Sequence, residues 1–268
     1  MDSKSEKKSA TAGQIGCMQP HLNLFRNNVS IVKPVQSIAS VAKGLSQKEY
    51  LINNETAKSY IIRNWLPKGV ANDLHAKLAS TVQFQVDNIK LGGKSIPQPR
   101  RTYACGNSEI TGHHYSGATV TMHPWIPEVK EIGDLAVQLL NEEAKTSNST
   151  AETTTVAINA CLLNQYRTGS EYLGWHSDRE TRGDHNHIVI TVSLGGSRRF
   201  YFKKKVAPSE SSAKQPLIKT ELHSGDLVIM MGKVQELYAH TVPKQMKDSN
   251  KKPVQPRISL TYRFLSQH

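Results

Sequence analysis

The sequence predicts an α+β protein in which a double-stranded β-helix (jelly-roll) core is buttressed by helices. Three observations predict it. Two stretches before Val156 carry helical periodicity, the chain from Val156 onward is built from short apolar runs of strand length, and it closes on a run in which polar and apolar residues alternate. At 268 residues the chain can hold one sizeable domain and a tail.

Residues 1–55 are rich in Ser, Lys, Asn and Gln with no sustained period, and are expected to form a disordered, weakly basic N-terminal extension, leaving 56–268 as the folded domain. Val70 to Thr81 has the spacing of a short helix. Pro127 to Lys145 reads as a longer one, because Val129, Ile132, Leu135, Ala136, Leu139 and Leu140 fall on one stripe suited to a core. From Val156 onward come runs of strand length, among them Ile188 to Leu194, Arg199 to Lys203 and Leu227 to Met231. Ser- and Lys-rich loops punctuate them at Pro208 to Gln215 and Lys244 to Pro256, with no internal repeat. Folded back as antiparallel neighbours, such strands make a small barrel or jelly roll.

The chemistry concentrates in the second half. In His176-Ser-Asp178 the outer residues would share a face of a strand, and the neighbouring strands would bring His240 beside them. Two imidazoles and one carboxylate match the facial triad of non-haem iron(II), which leaves the remaining positions open. In the closing run Arg257-Ile-Ser-Leu-Thr-Tyr-Arg263, the residues Arg257, Ser259, Thr261 and Arg263 share one face, and Ile258, Leu260 and Tyr262 share the other. Two cations on an inward face are costly unless an anion meets them, and a small dicarboxylate would serve. Asp184, His185 and His187 form a second cluster, either a surface site for zinc or nickel or adventitious loop histidines.

A formal net charge of +12 favours a polyanionic partner. The densest basic run comprises Arg198, Arg199, Lys203, Lys204 and Lys205, interleaved with Phe200, Tyr201 and Phe202. It suits phosphate contact or an edge strand protected by charge. Three scattered cysteines exclude a disulfide framework and a Cys-x-x-Cys zinc site. No apolar run reaches membrane-spanning length and no signal-peptide core is present, so a soluble intracellular protein without membrane contact is expected.

Taken together, Asn164-Gln-Tyr166-Arg-Thr-Gly169, His176-Ser-Asp178-Arg-Glu180, Thr191-Val-Ser-Leu-Gly195, His240 and Arg257 to Arg263 resemble the AlkB family of iron(II)- and 2-oxoglutarate-dependent nucleic-acid demethylases. The similarity runs from about Tyr60 to Phe264. Pro99-Arg100, Tyr115-Ser116-Gly117, Pro124-Trp125-Ile-Pro127 and Gly225 to Met231 look closest to its eukaryotic DNA-repair members. The resemblance implies that His176, Asp178 and His240 hold iron(II), that 2-oxoglutarate chelates the metal, and that O2 is the oxidant. Arg257 would take the far carboxylate as a bidentate pair. Arg263, Asn164 and Tyr166 would assist, with Ser259 and Thr261 on the same wall.

The implied reaction is removal of methyl groups from bases such as 1-methyladenine or 3-methylcytosine, releasing formaldehyde, carbon dioxide and succinate. The partner would be DNA, single-stranded or with the base flipped out, or RNA. Tyr115, beside Ser116, would stack on the base opposite the ring of His176, and Glu180 would accept from its exocyclic amino group. Trp125 either touches substrate or packs under the helix start. Arg100 would line the entry, and Arg198, Lys203, Lys204 and Lys205 would meet phosphates. Ile89 to Ile96 would correspond to a hairpin probing the duplex, with Leu91 or Ile96 as the wedge. Ser259 stands where many members carry Asn, and His113 where the repair members carry an aromatic residue, which leaves the fine shape of the pocket open. A monomer acting in DNA repair in the nucleus rather than the cytoplasm follows from the same resemblance. The alternatives are an oxygenase of the same class acting on RNA modification or protein, and a non-catalytic nucleic-acid-binding module of the same fold.

Overall fold

The structure is a computed structural model that describes residues 47–91, 93–110, 112–115, 118–146, 156–178, 188–206 and 216–265. In chain order the elements are β1 (Lys48–Asn53), β2 (Ala57–Ile62), α1 (Lys68–Thr81), β3 (Asn88–Leu91), β4 (Lys94–Pro97), β5 (Arg101–Gly106), β6 (Gly112–Tyr115), β7 (Ala118–Pro124) and α2 (Pro127–Thr146). There follow β8 (Ala160–Tyr166), β9 (Leu173–His176), β10 (Val189–Gly195), β11 (Arg198–Lys204), β12 (Ile218–Leu222), β13 (Leu227–Gly232), α3 (Val234–Leu237), β14 (Tyr238–Val242) and β15 (Arg257–Arg263).

Nine strands form the larger sheet in the order β1-β2-β13-β10-β15-β8-β5-β7-β6, and four form the smaller one in the order β12-β11-β14-β9. Alternation along the strands builds two apolar layers. Ile190, Val192 and Leu194 of β10, Leu227 and Ile229 of β13, and Ile258, Leu260 and Tyr262 of β15 pack with Leu74 and Leu78 of α1 and Val129, Ile132 and Ala136 of α2. From the opposite face of the larger sheet, Tyr166, Val189, Val228 and Met230 join Phe200, Phe202, Leu222 and Val242 of the smaller sheet. Because β10 and β13 are covered on both faces, they read as largely apolar runs, whereas β15 alternates apolar with polar residues. Within the first layer, Tyr262 ties β15 to α2 by donating its hydroxyl to the Val129 carbonyl at 2.7 Å.

This is the jelly-roll sandwich buttressed by helices that the sequence predicts. Both expected helices form, extended to Lys68–Thr81 and Pro127–Thr146. The expected boundary at Glu55 needs correction, because it falls in the turn between β1 and β2, and among the described residues regular structure is already present from Lys48. The six-residue strand β1 lies at the sheet edge and carries Lys48 and Glu49, so its composition resembles a polar tail. It is anchored through Lys48, which pairs with Glu143 of α2 at 2.7 Å while Tyr60 donates to the same carboxylate oxygen at 3.0 Å.

A tight backbone approach closes the β10–β15 end of the larger sheet. Gly195 ends β10 with φ +82°, and a Cβ there would lie 2.6 Å from the Pro256 carbonyl. The resulting turn feeds β10 of the larger sheet into β11 of the smaller one.

Candidate metal and cosubstrate site

Between the two sheets, strand pairing brings His176 and His240 together: they are register partners across β9 and β14, with ring centroids 4.1 Å apart. Asp178 does not share their strand, since β9 ends at His176. It reaches the imidazoles by other means, a correction to the expectation from simple alternation. Its backbone N–H donates to Gln235 Oε1 of α3 at 2.9 Å, and its Oδ1 accepts from Arg263 Nη2 at 2.6 Å. One ligand atom from each of His176, Asp178 and His240 lies within 4.8 Å of the others, close enough to hold one ion.

The protonation states suit a metal. Burial alone would raise the Asp178 carboxyl, but Arg263, His240 and His176 oppose it and hold the pKa down at about 2. Burial, with the neighbouring His176, pushes His240 down to about 3. Burial also lowers His176. At neutral pH the cluster is thus one carboxylate and two neutral imidazoles, the form that ligates a divalent cation. His176 donates Nδ1–H to the Gly174 carbonyl at 2.9 Å, which leaves Nε2 for a metal.

The same cavity contains the alternating face of β15: Arg257, Ser259, Thr261 and Arg263 line it, together with Arg100, Asn164, Tyr166, His176, Asp178 and His240. Arg257 is 1% exposed, stands opposite Tyr166 across the β15–β8 pair, and donates Nε–H to Ser193 Oγ at 2.8 Å. Among the described residues its Nη1 has no hydrogen-bond partner. Burial lowers its pKa to about 10, with the Tyr166 hydroxyl partly opposing. A buried guanidinium with an unmet donor, beside a two-His, one-carboxylate cluster, fits a metal-chelating acid that ends in a second carboxylate.

The other sequence-predicted residues are placed as follows. Arg263 bonds Asp178 and so supports the metal cluster, and it also lines the cavity in which a cosubstrate contact is expected of it. Arg100 is buried in the cavity wall and donates to Asn164 Oδ1 at 2.7 Å, well inside the rim expected for it. Trp125 donates to Asn107 Oδ1 at 2.7 Å and packs against the helical core beside Lys130, which is the packing alternative. The basic run divides. Arg198 is 1% exposed and donates to the carbonyls of Thr168, Glu171 and Pro243, so it cannot reach a phosphate, and Lys205 Nζ donates to Ser177 Oγ and the Gln235 carbonyl. Lys203 is half-buried over Trp175, and Lys204 is exposed. Tyr115 ends β6, and a β3–β4 hairpin forms where the probing hairpin is expected, with Ile96 half-buried. Ser116, Glu180, Asp184, His185 and His187 lie outside the described residues. Sequence reasoning missed Gln235 and Ser193, which aim Asp178 and Arg257. A lone Gln in a four-residue helix carries no sequence signal, whereas the inward position of Ser193 follows from alternation in β10.

The pattern of the 2OG-Fe(II) oxygenase superfamily matches residues 58–263. The chain is also 30% identical over 263 residues to DNA oxidative demethylase ALKBH2 of Arabidopsis thaliana, covering 91% of this chain and 77% of that one. The chain belongs to the AlkB family. Human ALKBH2 is 27% identical over 202 residues, 73% of this chain and 69% of its own. The mouse alpha-ketoglutarate-dependent dioxygenase alkB homolog 3 is 30% identical over 172 residues, and the match spans about half of that relative, 52%. The solved structure of OsALKBH1 shares the fold, with a TM-score of 0.52 at 24% identity over 76% of this chain and 97% of that one. This AlkB-family protein is an iron(II)- and 2-oxoglutarate-dependent dioxygenase that uses O2. No described helix is long and apolar enough to cross a membrane.

Proposed function

We propose that this AlkB-family enzyme removes methyl groups from N-alkylated bases of the 1-methyladenine and 3-methylcytosine type in nucleic acid, DNA first, and so repairs alkylation damage in the nucleus. The observation that carries the site assignment is the unmet donor of buried Arg257 in one cavity with His176, Asp178 and His240. The polymer substrate is supported by the net charge of +12 and by relatives whose names specify DNA oxidative demethylation.

His176, Asp178 and His240 would hold iron(II), which with 2-oxoglutarate and O2 supplies the oxidising power that converts an N-methyl group to N-hydroxymethyl, yielding carbon dioxide, succinate and, on collapse, formaldehyde. Arg263 keeps the Asp178 carboxylate ionised and aimed, and Gln235 fixes its backbone. Arg257 takes the far carboxylate of 2-oxoglutarate while Ser193 holds its Nε, and Tyr166, Asn164, Ser259 and Thr261 complete that wall. Leu162, Phe200, Met230 and Val242 give the cavity apolar sides that exclude water. Tyr115, with Ser116, stacks on the flipped base and Glu180 reads its amino group. Trp125 and Arg100 support the entry from behind, and Lys203 and Lys204 meet phosphates. The catalytic domain takes in β1 and acts as a monomer.

The test is to incubate the protein with iron(II), 2-oxoglutarate and methylated oligonucleotides, single- and double-stranded, DNA and RNA, and to follow succinate and methyl loss together. Equal yields of the two are expected on at least one DNA oligonucleotide. Succinate formation without methyl loss on any oligonucleotide would overturn the nucleic-acid assignment and leave the oxygenase.

A further inference from the structure

The smaller sheet has a second face that the metal site does not use. On β11, Arg198, Phe200 and Phe202 are buried inward, so Arg199, Tyr201 and Lys203 stand on the outside. On β14, His240 points to the metal cluster, which turns Ala239 and Thr241 outward; they are the register partners of Lys203 and Tyr201. These two small side chains form a low floor between β11 and β9 that is itself covered by its neighbours, with Ala239 8% and Thr241 5% exposed. Lys203 reaches across it, and its Nζ lies 4.6 Å from the ring centroid of Trp175, whose side chain is turned away from that of the next residue, His176. Trp175 nevertheless remains 41% exposed.

The pattern repeats around this floor. Lys219 of β12 pairs in register with Tyr201 and its Nζ lies 6.0 Å from that ring. Lys244, just past β14, lies over Tyr172, just before β9, at 5.0 Å. The outward acid on β11 and β12 is Glu221, opposite Arg199. A flat sheet face with three aromatic rings, each capped by an ammonium group, and a positive balance has the chemistry of a single-stranded nucleic-acid platform: the bases stack on rings and the lysines move to the phosphates. Isolated lysine–aromatic pairs merely stabilise a surface. Three on one small sheet, around a floor that leaves the largest ring exposed, make a track.

We propose that the outer face of the smaller sheet, built on Trp175, Tyr201, Lys203 and Lys219 with Tyr172 and Lys244 at its end, binds the single strand that flanks the base held at the metal. This rests on the demethylase reading for its biological purpose, but binding can be measured without it. Fluorescence anisotropy would compare full-length protein and the Tyr201→Ala/Lys219→Ala variant on a long single strand, a duplex of the same length and a methylated trinucleotide. The variant should lose affinity for the long strand by about tenfold or more. It should bind duplex almost as the wild type does and turn over the trinucleotide at the wild-type rate. Equal affinity of variant and wild type for the long strand would overturn the track, and an equal loss on duplex would reduce it to general charge attraction.

If the double variant fails to fold, oligo-dT quenching of tryptophan emission decides. Quenching should be present in the wild type and largely lost in Trp175→Phe, and unchanged quenching in Trp175→Phe would overturn the proposal. Absence of methyl loss from every oligonucleotide by the wild type would sink the demethylase reading alone, because the quenching and the long-strand affinity are read without turnover.

Discussion

On one face of β15, Ile258, Leu260 and Tyr262 are fully buried against the helices; on the other, Arg257 and Arg263 are 1% and 4% exposed with Ser259 and Thr261 between them. The two faces are nearly equal in burial and opposite in chemistry. Apolar burial lowers the free energy of the fold by itself, whereas a buried guanidinium raises it unless an anion is near. Arg263 has Asp178, while Arg257 keeps an unmet Nη1. The strand therefore devotes one face to stability and reserves the other for ligands.

The contrast can be broken most forcefully at Arg263. Arg263→Ala removes one half of a buried ion pair, a loss of about 3–5 kcal/mol, and should weaken both the fold and the affinity for iron(II), or for manganese(II) used in its place. Denaturant unfolding and metal titration would read the two effects, and wild-type metal affinity in this variant would show that Asp178 needs no such support. Leu260→Ala on the opposite face should cost about 2–5 kcal/mol of stability as a core cavity. In the fraction that stays folded, metal and 2-oxoglutarate affinities should be unchanged, and a marked loss of either would erase the division between the faces. Ser193→Ala should have the smallest effect: losing the hydrogen bond to Arg257 Nε is worth about 0.5–1.5 kcal/mol. It should raise the 2-oxoglutarate KM severalfold with little change in Tm.

Much of this contrast is legible in the sequence, because alternation in Arg257 to Arg263 is enough to assign both faces. The His176, Asp178 and His240 cluster is legible as residue types. Its geometry is not, since Asp178 lies past the end of β9 and is aimed by Arg263 and by Gln235 from a distant short helix. Arg198 marks an error that parity could have prevented. Phe200 and Phe202 set the inward face of β11, and Arg198 shares it, so a basic run read by density alone mistakes a buried carbonyl clamp for a phosphate contact. Among the strands from β1 to β7, β3, β4 and β6 leave little signal because they are four residues each, and β1, β6 and β7 lie at or near the sheet edges with mixed polar composition.

The most direct test of a face reserved for an anion is thermal unfolding of wild type and Arg257→Ala in oxygen-free buffer, with manganese(II) alone and then with 2-oxoglutarate added. Ligand that binds only the folded state raises Tm by mass action, with about 2.7 kcal/mol at a hundredfold excess over Kd. The wild type should gain Tm from the metal and again from 2-oxoglutarate. Arg257→Ala should keep the first gain and lose most of the second, while its Tm without ligands stays near or above that of the wild type. A full second gain in Arg257→Ala would contradict the account, because the far carboxylate would then be held elsewhere.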